Sequence, residues 1–359
     1  MVEADFKNLL LEVIETSAPD LHFQVGQSPT VRLKNGSISS MDNYPVLTLE
    51  DVNGIITMIT NEEQRRRFQE HWEFDFSYSA DGKGRFRVNV FQEKNGPSLA
   101  FRSIPQHIPT LEELGLGNPT IERLLMLRHG LILVTGPTGM GKSTTLAAMV
   151  DYVNQNRNAH IITIEDPIEY VYQNKNSLVT QREVNVHTHS FGNAIRAALR
   201  QDPDVVLVGE MRDLETIAAA VTLAETGHLV FSTLHTPDAA QTVDRIIDVF
   251  PTTQQQQIRT QVGTTLKAVI SQALLPRADG QGRIAAREIM VSNDGIRNCI
   301  TQGQVNQIYS MIQIGQQEGM VLLDQSLEQL VRAGLVTKDD ALSKATDIES
   351  LILKLSDVA

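Results

Sequence analysis

The spacing of apolar residues near the start of the chain predicts an amphipathic helix. These residues recur every three or four positions, as on one face of an α-helix: Phe6, Leu9, Leu10, Val13 and Ile14. We favour packing of this face on a protein core over a membrane-surface helix. The stretch is acidic and interrupted by charge, so it does not have the pattern of a secretory signal.

Shorter patterns fill the rest of the first hundred residues. We predict strands over 21–25 and 30–33 and a helical stretch near 48–70. Over 84–91 apolar and polar side chains alternate, which predicts a half-buried strand. Together these elements predict a mixed α/β unit over residues 1–103.

Four short apolar strands dominate the middle of the chain. They cover 131–136, 161–166, 205–210 and 229–235, and helical patterns separate them. Strands that alternate with helices predict a parallel sheet built from βαβ units. From about residue 252 to the end we expect helices to dominate.

A segment rich in proline and glycine separates the two parts. The stretch over 103–119 holds three prolines and two glycines and has weak periodicity. We therefore predict a linker over 104–118. The second domain then covers 119–359 and is α/β with a helical C-terminal region.

Charge and cysteine content exclude several classes of protein. Lys and Arg total 31 against 43 Asp and Glu, and the net charge of −12 argues against a protein that coats nucleic acid or an anionic membrane. The single cysteine, Cys299, permits no intrachain disulfide and no multi-cysteine metal site, which fits a reducing cytosol. No apolar run approaches the roughly 18 residues of a membrane span.

A phosphate-binding motif follows the strand over 131–136. Residues 136–143 match G-x-x-x-x-G-K-[ST], directly after a strand and directly before a helix, as the motif requires. Backbone N–H groups of such a loop surround the phosphates, Lys142 reaches the β- and γ-phosphates, and Ser143 ligates Mg²⁺. The nucleotide-binding candidates are Gly136, Pro137, Thr138, Gly139, Met140, Gly141, Lys142, Ser143 and Thr144.

Carboxylates end two of the apolar strands. Glu210 has the place of a Walker B acid, and the carboxyl end of a parallel strand is where ligands bind, so we expect it to hold Mg²⁺ directly or through water. We predict that Glu165 polarises the water that attacks the γ-phosphate. For Asp166 and Glu169, capping of a turn or helix around Pro167 is the competing interpretation.

Two histidines flank the strand LVFSTL. His228 precedes it and His235 follows it. An imidazole beside a triphosphate can donate to the γ-phosphate and report its loss, so both are catalytic candidates. A structural hydrogen-bonding role is the alternative for each.

Four sequence blocks resemble the motifs of the type II/IV secretion ATPases. GPTGMGKSTTLAAM, ITIEDPIEY, AIRAALRQDPDVVLVGEMRD and ETGHLVFSTLHT correspond to the Walker A motif, Asp box, Walker B motif and His box. AIRAALR and the C-terminal LLPRADGQGRIAAREIMV are similar to the pilus retraction branch of that family.

The resemblance implies a homohexameric ring whose subunits join an N-terminal PAS-like domain to a C-terminal RecA-like ATPase domain. It implies that Glu165 is the catalytic carboxylate, Glu210 the Walker B acid, and His228 and His235 the His-box pair. It further implies an inner-membrane pilus platform protein as partner and a place at the cytoplasmic face of the inner membrane. Binding of nucleic acid and insertion into the membrane are not expected.

Three arginines match family motifs whose arginines approach the nucleotide's phosphates. They are Arg85 and Arg87 of GRFRVN and Arg102 of FRSIP. The residues alone show only that Arg85 and Arg87 share the strand face opposite Phe86 and Val88, and a solvated charged face is the alternative. Because the arginines precede the predicted linker, we expect them to complete the ATP site of a neighbouring subunit.

We predict an Mg²⁺-dependent ATPase whose ring converts hydrolysis into pilus retraction. A pilus assembly or type II secretion ATPase typically carries a four-cysteine zinc insert. A chain with a single cysteine cannot form this insert. A RecA-like nucleic-acid motor is opposed by the net charge and by an aromatic content of 5%. A GTPase is opposed by the lack of a guanine-binding aspartate beside Asn174-Lys175. A scaffold without turnover is disfavoured because both Glu165 and Glu210 are present.

Overall fold

A computed structural model of the chain describes residues 3–16, 18–33, 36–80, 82–105 and 107–356. The chain divides into two units. The first combines Met1–His107 with Pro167–Val171, and the second combines Ile108–Asp166 with Tyr172–Ala359. Gln106 of the predicted linker lies outside the described residues, and the role of 104–118 as a linker stays a prediction.

The first unit is built on an antiparallel sheet. Its strands are β1 Asp20–Phe23, β2 Thr30–Arg32, β3 Ile38–Ser40, β4 Glu73–Ser79, β5 Arg85–Glu93 and β6 Gly96–Ile104. Its helices are α1 Glu3–Thr16, α2 Leu49–Ile59 and α3 Glu62–His71. Within the described residues the strand order is β3-β2-β1-β6-β5-β4.

The core of this unit confirms two of the predicted patterns. The apolar face of α1 is buried, and the ring centroid of Phe6 lies 5.8 Å from that of Phe23 and 6.1 Å from that of Phe101. Burial alternates along β5 as the sequence predicts, with Phe86 and Val88 inside. The apolar face of α1 therefore packs on the core of its own unit, not on a membrane surface.

The helical stretch predicted near 48–70 is two helices rather than one. Helix α2 ends at Ile59, and Asn61 caps the start of α3 by accepting the N–H of Gln64, whose side chain accepts the N–H of Asn61 in return. This reciprocal cap starts a new helix because it satisfies N–H groups that a continuous helix would bond internally. Strands β3 and β4 were not predicted.

The second unit is built on a mixed sheet. Its strands are β7 Gly130–Thr135, β8 His160–Glu165, β9 Leu178–Glu183, β10 Val205–Val208, β11 Leu229–Leu234, β12 Leu266–Pro276 and β13 Arg283–Val291. Across the described residues the order is β13-β12-β7-β11-β10-β8-β9, and β13 alone runs antiparallel to its neighbour. The predicted parallel sheet and the α/β fold class are confirmed.

Helices follow most strands of this unit and dominate its end. They are α4 Pro119–Leu125, α5 Lys142–Asn156, α6 Phe191–Ala198, α7 Leu214–Glu225, α8 Ala239–Asp248, α9 Thr252–Thr265, α10 Asp294–Thr301, α11 Ile308–Ile314, α12 Leu323–Arg332, α13 Lys338–Leu342 and α14 Ile348–Lys354. In the part of the chain that the structure describes, no helix is both long and apolar enough to cross a bilayer.

Helices dominate from residue 252 onward as predicted, but two strands that were not predicted interrupt them over 266–291. Strands β12 and β13 form a long hairpin there. Strand β12 follows α9 without a turn, and most of its residues are buried irrespective of the face on which they lie. A buried run without alternation has no period of two, so its sequence does not distinguish a strand from a buried helix.

Strand order decides where the predicted site residues meet. Strands β7, β11, β10 and β8 are parallel neighbours, so their carboxyl ends share one edge of the sheet. The phosphate loop, His235, Glu210 and Glu165 lie at those ends in that order. Residues from four separate stretches of the chain therefore reach the edge where ligands bind in open α/β sheets.

Candidate functional site

The phosphate loop connects β7 to α5 through three glycines in left-handed or otherwise unusual conformations. The φ angles of Gly136, Gly139 and Gly141 are 137°, 80° and 80°. At Gly136 a Cβ would lie 2.5 Å from the carbonyl oxygen of Gln272, so a larger residue would displace the loop. No side chain caps the start of α5. A helix start of this kind presents backbone N–H groups that bind anions.

The side chain of Lys142 folds back into the loop. Its Nζ donates to the carbonyl oxygens of Gly136 and Pro137, at 2.7 and 3.0 Å. Burial lowers the pKa of Lys142, while Glu210 acts to raise it. Around this cation, Pro137, Thr138, Gly139 and Ser143 are exposed, and Met140, Gly141 and Thr144 are half-buried.

Strand β12 supports the loop from beside β7, which the sequence did not indicate. The buried Gln272 accepts a hydrogen bond from Thr145 Oγ1 at 2.9 Å and donates to the carbonyl oxygen of Met140. One strand residue earlier, the hydroxyls of Ser271 and Thr135 are 2.8 Å apart. One glutamine side chain thus ties the loop to the first turn of α5.

Glu210 and His235 lie close together beside the loop. His235 Nε2 is 3.7 Å from Glu210 Oε2, and His235 Nδ1 is 3.5 Å from Thr138 Oγ1. Burial, helped by the charge of Lys142, lowers the pKa of His235 below its usual value, although Glu210 acts to raise it. Arg212, which the sequence analysis did not select, pairs with Glu210 through its Nε at 2.7 Å.

Glu165 ends β8 and is buried. Its Oε1 accepts hydrogen bonds from Thr163 Oγ1 at 2.7 Å and from Gln181 Nε2 at 3.3 Å. Gly209 lies against it, because a Cβ on residue 209 would be 3.4 Å from the Glu165 Cα. Asp166, the alternative next to it, is exposed.

The structure does not bring His228 to the same edge as the other candidates. His228 precedes β11, and its Nδ1 lies 3.0 Å from the carbonyl oxygen of Leu223 and 3.2 Å from Thr226 Oγ1. At about 3.3 Å per residue, the six residues of β11 separate His228 from His235 by roughly 20 Å. A structural role accounts for its contacts within this chain.

The predicted arginines lie in the first unit, and the structure adds a fourth. In the strand register, Arg102 lies opposite Arg87 on one side and opposite Asp20 on the other. Asp20 in turn lies opposite Arg32. Asp20 lies 2.9 Å from Arg102 Nε and 3.4 Å from Arg32 Nε. Arg85 shares the face of Arg87 because it lies two residues away on the same strand. This row of arginines, the arginine face, also includes acidic partners, since Asp75 Oδ1 lies 3.7 Å from Arg87 Nε, and only the strand order reveals it.

A cavity of about 810 Å³ adjoins the loop inside the second unit. Its wall includes residues of the first turns of α5, the β12–β13 hairpin and the segment before α4. The residues that line the cavity include Gly141, Thr144, Gln272, Leu274, Arg277 and Arg283. The Nη1 of Arg283 is also 3.4 Å from the carbonyl oxygen of Gly139, so the cavity opens at the phosphate loop.

A phosphate loop at the edge of a parallel sheet, with two carboxylates on neighbouring strand ends, defines a P-loop ATPase. Residues 1–347 match the model of the family described as type II/IV secretion system protein. The chain belongs to this family, and the resemblance inferred from its motifs is confirmed.

Individual relatives match the chain over most of its length. A twitching motility protein of Neisseria gonorrhoeae is 51% identical over 310 residues, which cover 86% of this chain and 82% of that protein. A Pseudomonas aeruginosa protein described as type IV pilus retractation ATPase PilT is 48% identical over 341 residues, or 95% and 98% of the two chains. The crystal structure of the pilus retraction motor PilT with bound ADP has a TM-score of 0.89 at 46% identity, covering 96% and 98%.

Proposed function

We propose that this chain is an ATPase that powers the retraction of type IV pili. The observation that carries the proposal is the joint placement of the phosphate loop, Glu210 and Glu165 at one sheet edge, in a chain that matches a pilus retraction ATPase over 95% of its length. The absence of a four-cysteine insert in a chain with one cysteine favours retraction over assembly or type II secretion.

The nucleotide's phosphates are held by the loop. Lys142 exchanges its bonds with the carbonyl oxygens of Gly136 and Pro137 for bonds with the β- and γ-phosphates, because a charged acceptor binds an ammonium more strongly than a neutral carbonyl. The nucleoside enters the cavity beside Thr144. A volume of about 810 Å³ is ample for it, and Arg277 and Arg283 offer planar cations for stacking on a base.

The residues near the loop fit an Mg²⁺ ion. Ser143 and Glu210 offer hydroxyl and carboxylate oxygens, the hard ligands that Mg²⁺ prefers. Among the described residues no group of three His, Cys, Asp or Glu side chains is placed to hold a metal. Held by Ser143 and Glu210, Mg²⁺ would neutralise charge on the β- and γ-phosphates.

Glu165 acts on the attacking water. Its carboxylate is held by Thr163 and Gln181 at the end of β8, which is three positions from β7 and next to β10, the strand that Glu210 follows. A carboxylate so placed accepts the proton of a water aligned with the γ-phosphorus. His235, which lies beside Thr138, donates to the γ-phosphate and loses that bond after hydrolysis.

We further propose a homohexameric ring in which the arginine face of one subunit meets the nucleotide of its neighbour. Arg85, Arg87 and Arg102 then supply the positive charge that stabilises the transition state. The ring works at the cytoplasmic face of the inner membrane on a pilus platform protein. Binding of ATP orders the interface between subunits, and loss of the γ-phosphate relaxes it.

Complementation of a retraction-deficient strain tests the proposal directly. We expect the wild-type gene to restore pilus retraction and twitching motility, and a Lys142→Ala gene to restore neither. The purified protein should hydrolyse ATP in the presence of Mg²⁺. Stimulation of that activity by DNA, without any effect on motility, would favour a nucleic-acid motor instead.

A further inference from the structure

Two side chains outside the sequence-predicted site hold the carboxylate of Glu165. Thr163 Oγ1 and Gln181 Nε2 donate to the same oxygen, Oε1, at 2.7 and 3.3 Å. Thr163 lies two residues before Glu165 on β8, so the two side chains leave the strand on one face. Gln181 is the register partner of Thr163 on β9, which brings its amide to the same oxygen.

A second hydrogen bond sets the direction of the Gln181 amide. Its Oε1 accepts the backbone N–H of Tyr172 at 2.9 Å. A backbone N–H is only a donor, so the amide oxygen faces Tyr172 and the amide NH₂ group faces Glu165. The backbone thus determines that Gln181 offers a donor, and not an acceptor, to the carboxylate.

The surroundings of Glu165 make such donors necessary. Glu165 is 7% exposed and Thr163 is fully buried. The register partner of Glu165 on β9 is a second buried acid, Glu183. Asp166 directly follows Glu165 in the chain. Burial and acidic neighbours both favour the protonated form of a carboxylate, whereas hydrogen-bond donors favour the ionised form that accepts a proton.

We infer that Gln181 and Thr163 are positioning residues, which orient the carboxylate of Glu165 and keep it ionised while it acts on the attacking water. The inference rests on the proposed function, since that function assigns the water to Glu165. Both residues act through Glu165, and their loss should therefore change catalysis without changing the binding of the nucleotide.

Gln181→Glu separates the hydrogen bond that the amide accepts from Tyr172 from the one that it donates to Glu165. The new carboxylate still accepts the Tyr172 N–H, but it no longer donates to Glu165. We expect kcat for ATP hydrolysis to fall roughly 10- to 100-fold, as for a displaced catalytic group, with KM for ATP unchanged. The acid limb of the pH profile of kcat should move to higher pH, because a carboxylate that loses a donor and gains an acidic neighbour is protonated more easily.

Thr163→Val removes the other donor at nearly constant shape and should shift kcat and the acid limb in the same direction. Thr163→Ser keeps the hydroxyl and should stay close to wild type. The matched control is Gln173→Glu, which adds the same charge at an exposed position next to Tyr172. We expect it to leave both kcat and the pH profile unchanged.

Three results would overturn the inference. If Glu165→Gln is inactive but Gln181→Glu and Thr163→Val keep the wild-type kcat and pH profile, the positioning role is wrong and the proposed function stands. A fall in kcat with an unmoved acid limb would indicate a purely structural role. If Glu165→Gln keeps full activity, the assignment of the water to Glu165 fails, and the positioning role fails with it. Should Gln181→Glu not fold, the profile of Thr163→Val decides alone.

Discussion

The Nζ of Lys142 lies 2.7 Å from the carbonyl oxygen of Gly136, so the cation that we assign to phosphate binding also closes the loop that carries it. Lys142→Ala removes both effects. We expect nucleotide affinity to fall and steady-state ATP hydrolysis to be lost, because no other side chain of the loop brings a positive charge to the β- and γ-phosphates. Titration with a fluorescent ATP analogue and an ATPase assay measure the two effects. The exposed Lys344→Ala serves as control, and unchanged turnover in Lys142→Ala would exclude the loop from the mechanism.

Glu165→Gln and Glu210→Gln should separate two roles at the same edge. If Glu165 acts on water, its variant still binds ATP with Mg²⁺ but hydrolyses it about 10²–10⁴-fold more slowly, the range for lost general-base assistance. Glu210→Gln should instead require more Mg²⁺ for half-maximal activity, because an amide is a weaker ligand than a carboxylate. Mg²⁺ titrations of both variants make the comparison, and superimposable curves would contradict the assignment.

Gln272→Leu tests whether β12 supports the loop. The substitution leaves Thr145 Oγ1 and the carbonyl oxygen of Met140 without this partner. A buried polar group that loses its partner costs about 1–3 kcal/mol, so the free energy of unfolding should fall by that order and ATP should bind more weakly. Urea denaturation and ATP titration measure the two effects. Gln281→Leu, at an exposed position in the β12–β13 turn, should change neither. If Gln272→Leu and Gln281→Leu are equally stable, Gln272 does not stabilise the phosphate loop.

Glu288 gives the stability of the protein a pH dependence. Burial raises the pKa of Glu288 to about 7. The hydrogen bond that its carboxylate accepts from the N–H of Ala239 acts in the opposite direction, but it is the smaller effect. An acid whose pKa is higher in the folded than in the unfolded state stabilises the fold at low pH, and this stability is lost as the pH rises from about 4.5 to about 7.

Glu288→Gln keeps an oxygen for the Ala239 N–H but cannot ionise. We expect the variant to be within about 1 kcal/mol of the wild type at pH 5 and more stable at pH 8, by on the order of 3 kcal/mol at most. Urea denaturation at both pH values checks this, with the exposed Glu349→Gln as control. A stability difference that does not change between pH 5 and pH 8 would show that Glu288 does not titrate in this range.

Mixed rings test the proposed action of the arginines across subunits. Arg87→Ala and Lys142→Ala chains should each be inactive alone, since an arginine that completes a site contributes about 10³–10⁵ in rate in related enzymes. When the chains are mixed, some interfaces pair an intact loop with an intact arginine, so part of the ATPase activity should return. Near-normal activity of Arg87→Ala alone, and no recovery in rings proven to be mixed, would assign the arginine to a solvated face.

Much of the candidate site follows from contiguous sequence. The loop from Gly136 to Ser143 contains its own turn, helix start and cation. Glu165 and Glu210 were identifiable because a run of apolar residues that ends in an acid predicts a buried parallel strand with a carboxylate at its carboxyl end. His235 was selected together with His228 because the two histidines flank the strand LVFSTL. His228 matched the motif equally well, yet it lies at the other end of the same strand.

The partners of these residues could not be identified in the same way. Gln272 reaches the loop because β12 lies beside β7, although 136 residues separate Thr135 from Ser271. Gln181 reaches Glu165 because β9 pairs with β8 in a particular register, and Arg32 joins the arginine face because β2 pairs with β1. Each is a polar residue within a strand, with no local signal that distinguishes it from a solvent-facing one.

The sequence by itself therefore determined the candidate groups of the site, namely a phosphate loop and the acids at two strand ends, because local backbone geometry and strand ends depend on neighbouring residues. Only the tertiary structure determined which side chains position the loop and these acids. Strand order and register arise from burying apolar faces of distant segments against each other. A shift of one residue in register would turn Gln181 away from Glu165 to the opposite face of the sheet.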